Sequence, residues 1–319
     1  MEWSPVLNDD PVDWLLEGDP SLRFRVLTEL LDQPPDGSEA AKARNDLMTI
    51  GPAAKVLAMQ RPGGHWGREE DFYVRTKYRG TVWNLILLAQ LGADPADRRV
   101  GQAGDFVLRW SRRADGGFTY SGGPHGGDAL SLPCLTGNMA WSLAKLGMGE
   151  DPRMMATYRH LSILARDVRS GDIYEKCRPC RSGMVKVLMA LLDAPPGASA
   201  VLDRGSTARL AGAVAERCLP GGGEEGPRPE WYEYGFPLMW NTDLVEIVEL
   251  LARAGMWSDQ MAEARDAILS KQDTMGRWGL ERCFQGRHLV SFGRRGSPSR
   301  WTTFRVLRML KHLPDESKA

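Results

Sequence analysis

The sequence has no surplus of charge of either sign. Lys and Arg number 41 and Asp and Glu number 41, so the formal net charge is zero. A protein that holds nucleic acid by bulk charge carries a basic excess, so no nucleic-acid partner is expected. No run of about 18 apolar residues occurs, and no transmembrane helix is expected. Residues 1–10 lack a basic stretch followed by an apolar one, so no secretory signal is read there. Cysteine is scarce and odd in number: Cys134, Cys177, Cys180, Cys218 and Cys283. A disulfide framework is therefore not expected, and the reducing cytoplasm is the expected compartment. No strand of convincing length can be read. A P-loop, a Gly-x-Gly-x-x-Gly following a strand, a Gly-x-Ser-x-Gly elbow and a His-Glu-x-x-His helix are also missing, which removes the commonest nucleotide, hydrolase and zinc-protease signals.

Glycine and tryptophan are plentiful. There are 35 glycines, and 11 tryptophans against 7 tyrosines and 8 phenylalanines. Both follow a repeat. Amphipathic stretches at residues 53–59, 100–110, 154–165, 208–218 and 261–269 each lead towards a turn that joins glycine to an aromatic or apolar residue. The clear turns are Gln60 to Gly67, Asp115 to Phe118, Ser170 to Tyr174 and Lys271 to Gly279; Gly221 to Gly223 with Trp231 is looser. An apolar helical run follows each turn, and a hydroxyl residue opens each run: Thr81, Thr136, Ser182, Thr242 and Thr302. Ser and Thr accept hydrogen bonds from the free N–H groups of a first helical turn. These five residues are accordingly expected to be N-caps of five equivalent helices. Helix-stop signals such as Gly92 with Pro95, Gly147 with Pro152 and Pro195-Pro196-Gly197 close the returns.

Hairpins of this length with Gln-x-x-x-Gly-x-Trp turns resemble the prenyltransferase and squalene-cyclase repeat. The residues that match are Gln60, Gly64 and Trp66, and again Gln272, Gly276 and Trp278. The resemblance implies an all-α fold, an α/α toroid of about five or six helical hairpins in a single domain. Residues 1–52 would complete the ring, 53–313 would form the repeats, and 314–319 would be a polar tail. It also implies an enzyme acting on an apolar or isoprenoid-type substrate in a central cavity. A non-catalytic binding scaffold and a carbohydrate-active α/α barrel stand as alternatives, because one fold hosts many functions.

In such a fold the helix N-termini gather at one end, and helix N-termini favour anions. Substrate-binding candidates there are Arg79, Trp83, Asn84, Asn138, Trp141, Lys186, Trp240, Asn241, Trp301 and Arg305. Arg79 and Arg300 suit a diphosphate or carboxylate, or else pair with carboxylates nearby. The Asp-x-Asp-Asp acid of the alkene-protonating cyclases is missing, as are the Asp-rich magnesium motifs of the other terpene synthases. Asp243, with Glu246 one turn on, is the candidate acid pair; an Asp at this place also complements a helix dipole. The cysteines leave three readings open. Cys134, Cys177 and Cys180 with His125 suit a zinc site; Cys177 and Cys180 suit a redox pair; and buried inert thiols are common.

Overall fold

Three glycine turns repeat one hydrogen-bond pattern. Arg61 N donates to His65 O at 2.8 Å and Gly64 N to Arg61 O at 2.9 Å. Arg113 N donates to Gly117 O at 2.8 Å and Gly116 N to Arg113 O at 3.1 Å. Asp273 N donates to Arg277 O at 2.8 Å and Gly276 N to Asp273 O at 3.1 Å. The turn glycines lie at φ values of 85°, 90° and 65°, where a side chain is strained. A Cβ on Gly64, Gly116 or Gly276 would also collide with the carbonyl of Gln102, Ala156 or Asp9. Each turn is thus pressed onto a neighbouring stretch of backbone.

The tryptophan of the turn folds inward. Trp66 and Trp278 are each 1% exposed. Trp66 Nε1 donates to Val56 O at 2.8 Å and Trp278 Nε1 to Ile268 O at 2.7 Å, each reaching ten residues back. The glutamine works outward: Gln60 Nε2 donates to Arg99 O and Gln272 Nε2 to Val6 O, both at 2.9 Å. Asn8 N completes the second contact by donating to Gln272 Oε1. The last turn therefore docks on residues 6–9 in the way that the first docks on residues 99–102.

The computed structural model describes residues 4–70, 73, 77–120, 122–123, 131–166, 180–203, 205–221, 226–284 and 286–315. Among these it is all-α, with isolated bridges and no strand. The helices are α1 (Val12–Leu16), α2 (Pro20–Arg25), α3 (Ser38–Thr49), α4 (Pro52–Ala58), α5 (Thr81–Leu91), α6 (Arg98–Trp110), α7 (Pro133–Leu143), α8 (Met154–Arg166), α9 (Arg181–Leu192), α10 (Ser206–Cys218), α11 (Leu244–Arg253), α12 (Asp259–Leu269) and α13 (Arg300–His312). The chain forms two compact units. One takes Met1–Pro52, Val214–Gly286 and Val290–Ala319; the other takes Ala53–Ala213 and Arg287–Leu289. Residues 53–313 contribute to both units.

In the second unit, α5, α7 and α9 are buried on almost every side, while α6 and α8 bury one face. A helix that is apolar all round belongs to a core, and one with an apolar stripe lies outside it. Helix α7 packs on both α5 and α9, and α8 backs α7 and α9. In the first unit, α13 packs on α11, on α1 and on the π-helical turn Val26–Leu30, and α12 backs α11. The inner-and-outer alternation of the sequence is therefore present within each unit.

The N-cap expectation is corrected. Thr81 is the first residue of α5, after Gly80; Thr136 is the fourth of α7; Ser182 is the second of α9. Thr242 precedes the true cap of α11, Asp243, and Thr302 follows the cap of α13, Ser299. Thr81 and Thr136, and Thr303 in the last repeat, have another partner, the N–H of the turn aromatic. Trp66 N donates to Thr81 Oγ1 at 3.1 Å, Phe118 N to Thr136 Oγ1 at 2.9 Å and Trp278 N to Thr303 Oγ1 at 2.9 Å. A buried N–H left unpaired costs about 1–3 kcal/mol. These hydroxyls therefore tie each turn to the inner helix that follows it.

Candidate functional site

The inner helices of the second unit begin with polar residues set in apolar surroundings. Asn84 on α5 is 0% exposed and Asn138 on α7 is 2% exposed. On α9, Arg181 is 7% exposed and Lys186 is 0% exposed. Asn84 Nδ2 donates to Arg79 O at 2.7 Å and to Gly80 O at 3.1 Å, and its Oδ1 has no partner. Asn138 Nδ2 donates to Cys134 O at 2.9 Å. Helix α9 lies hard against α7 because Gly137 has no side chain: a Cβ there would stand 2.7 Å from Val187 N and closer still to the Lys186 carbonyl. The backbone beside Asn138 is thus in direct contact with the backbone of Lys186. Asn84, Asn138, Arg181 and Lys186 occupy the first two turns of three helices packed in series.

Gly183 brings Cys180 near the backbone of Cys134. The point where a Gly183 Cβ would stand is 2.6 Å from Cys180 Sγ and 3.5 Å from Cys134 N. The shared Cys-x-x-Gly spacing at 134–137 and 180–183 is the signature of this close approach. His125 and Cys177, the other two expected zinc ligands, lie outside the described residues. Among the described residues, no group of three His, Cys, Asp or Glu side chains is placed to hold a metal ion. Two thiols supply half of a tetrahedral zinc set, so no chemistry is derived through zinc.

Aromatic residues enclose the start of α5. Trp83 is 1% exposed, donates from Nε1 to Tyr73 O at 2.8 Å, and stacks on Tyr73 with centroids 4.8 Å apart. Tyr78 packs against both Trp83 and His288, each at 5.2 Å. Its φ is 70°, an unusual value for a bulky residue. Met239 repeats this at φ 58° in the first unit, and each stands three residues before its hydroxyl, Thr81 or Thr242. Arg79 is exposed and donates from Nε to Arg287 O at 3.1 Å. Trp141 does not join this group. It lies near the C-terminal end of α7, where Nε1 donates to Asp193 Oδ2 at 2.9 Å, with Lys145 on Asp193 Oδ1.

His288 belongs to this unit and is 9% exposed. Burial lowers its pKa from 6.5 to about 4, against the opposing pull of a backbone hydrogen bond with Tyr78. The folded chain therefore keeps His288 neutral where the unfolded chain protonates it. Stability falls as pH drops from 6.5 through 4 and is level below, by about 3 kcal/mol in all. Glu29 titrates lower. Burial raises its pKa, but Arg25 and Arg308 more than offset this and hold it at about 2. Its contribution is lost only below its ordinary 4.5. Burial lowers His160 and His312 below 6.5 as well, so all three histidines shape the slope that urea titrations read between pH 6.5 and 4.5, and His288→Asn is expected to reduce it without abolishing it. An unchanged slope in that variant would refute the assignment.

In the first unit the expected acid is engaged. Asp243 is 1% exposed, and its Oδ1 accepts from Glu246 N at 3.0 Å as the cap of α11. Arg305, 6% exposed, donates to Asp243 Oδ2 at 2.8 Å and to Oδ1 at 2.7 Å, and also to Gly235 O at 2.6 Å. Burial works to lower the Arg305 pKa, and the Asp243 charge and hydrogen bonds outweigh it, so the pKa lies above its ordinary value. Both carboxylate oxygens are thus occupied, and Glu246 stands on the first turn of the same helix. Asp243 serves as a helix cap and as the partner of Arg305. Trp301 is engaged too: it stacks on Phe236 at 4.1 Å and donates to Asp19 Oδ2 at 2.9 Å. Arg300 donates to Trp14 O and pairs with Glu17. Trp240 is half-buried in the turn before Asn241.

The expected substrate residues therefore divide. Arg79, Trp83, Asn84, Asn138 and Lys186 share one unit and one set of helix N-termini. Trp240, Asn241, Trp301 and Arg305 lie in the other unit. Arg181 and His288 were not expected. Arg181 directly follows Cys180 and could have been found by reading one column further; His288 carries no motif.

No family model matches the chain, and no curated protein matches it. Among solved structures it is similar to the apo form of the type II terpene cyclase MstE from Scytonema. The identity is 14% and the TM-score 0.30, over 80% of this chain and 94% of that one. At that level the likeness carries no argument about a reaction. Among the described residues, no helix is long and apolar enough to cross a membrane.

Proposed function

We propose that the chain is an enzyme of the prenyltransferase and terpene-cyclase type. Its substrate is apolar or isoprenoid-like, with an anionic end held at the first turns of α5, α7 and α9. The observation that carries this reading is the gathering of Asn84, Asn138, Arg181 and Lys186 in the first two turns of three packed helices, with Lys186 at 0% exposure. Arg181 adds a second buried cation on the same helix, and the helix N-termini add partial positive charge. This set suits a diphosphate or a carboxylate. The apolar flanks of the helices suit a hydrocarbon tail.

The test is binding and turnover together. Geranyl, farnesyl and geranylgeranyl diphosphates are titrated by calorimetry, and products are sought by gas chromatography with mass detection. Lys186→Met is expected to weaken diphosphate binding by about 10–100-fold, the range for a hydrogen bond to a charged group. Equal affinity in wild type and in folded Lys186→Met would overturn the reading. A non-catalytic scaffold is the second reading, and the occupied oxygens of Asp243 favour it. Binding without any product supports the scaffold.

A further inference from the structure

Three buried polar groups in the first unit have no partner. They are Tyr234 OH, Asn241 Nδ2 and Thr242 Oγ1, on residues 1%, 5% and 1% exposed. Native proteins seldom leave such groups unpaired, and a bound molecule is one standard reason for finding them so. Arg282 links them through the Tyr234 backbone carbonyl and the Asn241 side chain, and Thr242 is next to Asn241 in the chain. Tyr234 O accepts from Glu281 N at 2.9 Å and from Arg282 N at 3.1 Å, so Tyr234 and Arg282 lie side by side. The Arg282 side chain reaches Asn241 Oδ1 at 3.4 Å, which places its guanidinium beside the unpaired Asn241 amide. Thr242 is the next residue, and Asp243 after it ties to Gly235 through Arg305.

Two carboxylates of the cluster already have cation partners. Asp243 is neutralised by the bidentate Arg305, and Glu281 by Lys271 at 2.8 Å. Arg282 makes two long bonds of 3.4 Å, to Glu230 O and Asn241 Oδ1, and pairs with no carboxylate among the described residues. A guanidinium has five donors in a fork that matches a carboxylate or phosphate. Arg282 thus has donors to spare beside an amide donor and two hydroxyls that also lack acceptors. The Tyr234 phenol is held well above its usual pKa, first by burial and then by the charges of Asp243 and Glu281, so it stays protonated and able to donate.

We propose that Arg282, Tyr234, Asn241 and Thr242 form a binding site for a small oxyanion, separate from the substrate site on α5, α7 and α9. Each of the four offers a hydrogen to the ion, and the ion supplies the acceptor lone pairs that the cluster lacks. The chemistry is shared by an inorganic phosphate or sulfate and by a carboxylate. The proposal does not rest on the isoprenoid reading.

The full chain is titrated by calorimetry with sodium phosphate, sulfate and formate, at constant ionic strength against sodium chloride. A saturable signal with phosphate and sulfate marks a tetrahedral oxyanion as the ligand; a signal with formate alone marks a carboxylate. Arg282→Gln is expected to weaken binding at least tenfold. Tyr234→Phe is the gentler variant, because the missing oxygen has no partner in the ligand-free chain. Without anion its Tm should equal or exceed that of wild type; with anion its affinity should fall several-fold. Lys186→Met should leave this affinity within twofold. No signal beyond chloride would overturn the proposal. So would affinities in Tyr234→Phe and Arg282→Gln within twofold of wild type, or a loss confined to Lys186→Met.

Discussion

Replacing Arg305 by methionine is expected to destabilise the protein by about 3–5 kcal/mol, the range for removing one partner of a buried ion pair. Asp243 would remain 1% exposed with a full charge and one backbone N–H for company. The Gly235 carbonyl would also lose its donor. A typical domain has about 5–15 kcal/mol of total stability, so this single change takes a large share. The double variant Arg305→Met with Asp243→Asn should recover much of the loss. Asparagine keeps the cap on α11, since Asn and Asp cap about equally well, and no charge is left buried. Urea denaturation of the wild type, both single variants and the double variant closes the cycle. A loss below about 1 kcal/mol for Arg305→Met would mean that the pair is solvated and weak. Asp243 would then be free to act as an acid.

That pair shows where the sequence stops being legible. Asp243 is visible as a carboxylate at a helix start, which fits a cap, a dipole complement or an acid equally well. The choice depends on Arg305, 62 residues further on, and nothing local joins the two. The hydroxyl column has the same ambiguity. Thr81 and Thr136 were found at the right places, but a hydroxyl at a helix start has two possible donors. One is its own helix; the other is a turn 15 or 18 residues earlier. The structure takes the second, because the turn N–H is buried and has nothing else to meet. In the last repeat the same rule moves the role from Thr302 to Thr303, which a column fixed by spacing cannot anticipate. Trp141 failed for a simpler reason. It is the ninth residue of α7, over two turns from the start of the helix. Lys186 was legible by column, but not its complete burial, which depends on α9 lying against Gly137.

The turns were the most legible part, because their contacts are set within the motif and repeated. Trp66→Ala and Trp278→Ala are each expected to cost about 3–5 kcal/mol, the range for truncating a buried tryptophan. Each deletion empties a site of 1% exposure and removes the indole hydrogen bond to Val56 O or Ile268 O. The two losses should appear in different places. Trp66 is tied to α4 and α5, so its removal should raise amide exchange there and at Arg99 to Gln102, where the turn docks. Trp278 is tied to α12 and α13, so its removal should raise exchange in those helices and at Val6 to Asp9. Local opening follows the packing that is lost, and amide exchange reports it residue by residue. A global, identical exchange pattern in both variants would show that the two units unfold as one. Protection of Val6 to Asp9 that survives Trp278→Ala would show that the N-terminal segment is held by something other than the last turn. The expected separation follows from chemistry that the two motifs share. Each has a glutamine that reaches the segment on which the turn docks, a glycine that admits that segment's backbone, and a tryptophan that ties back to the helix before it.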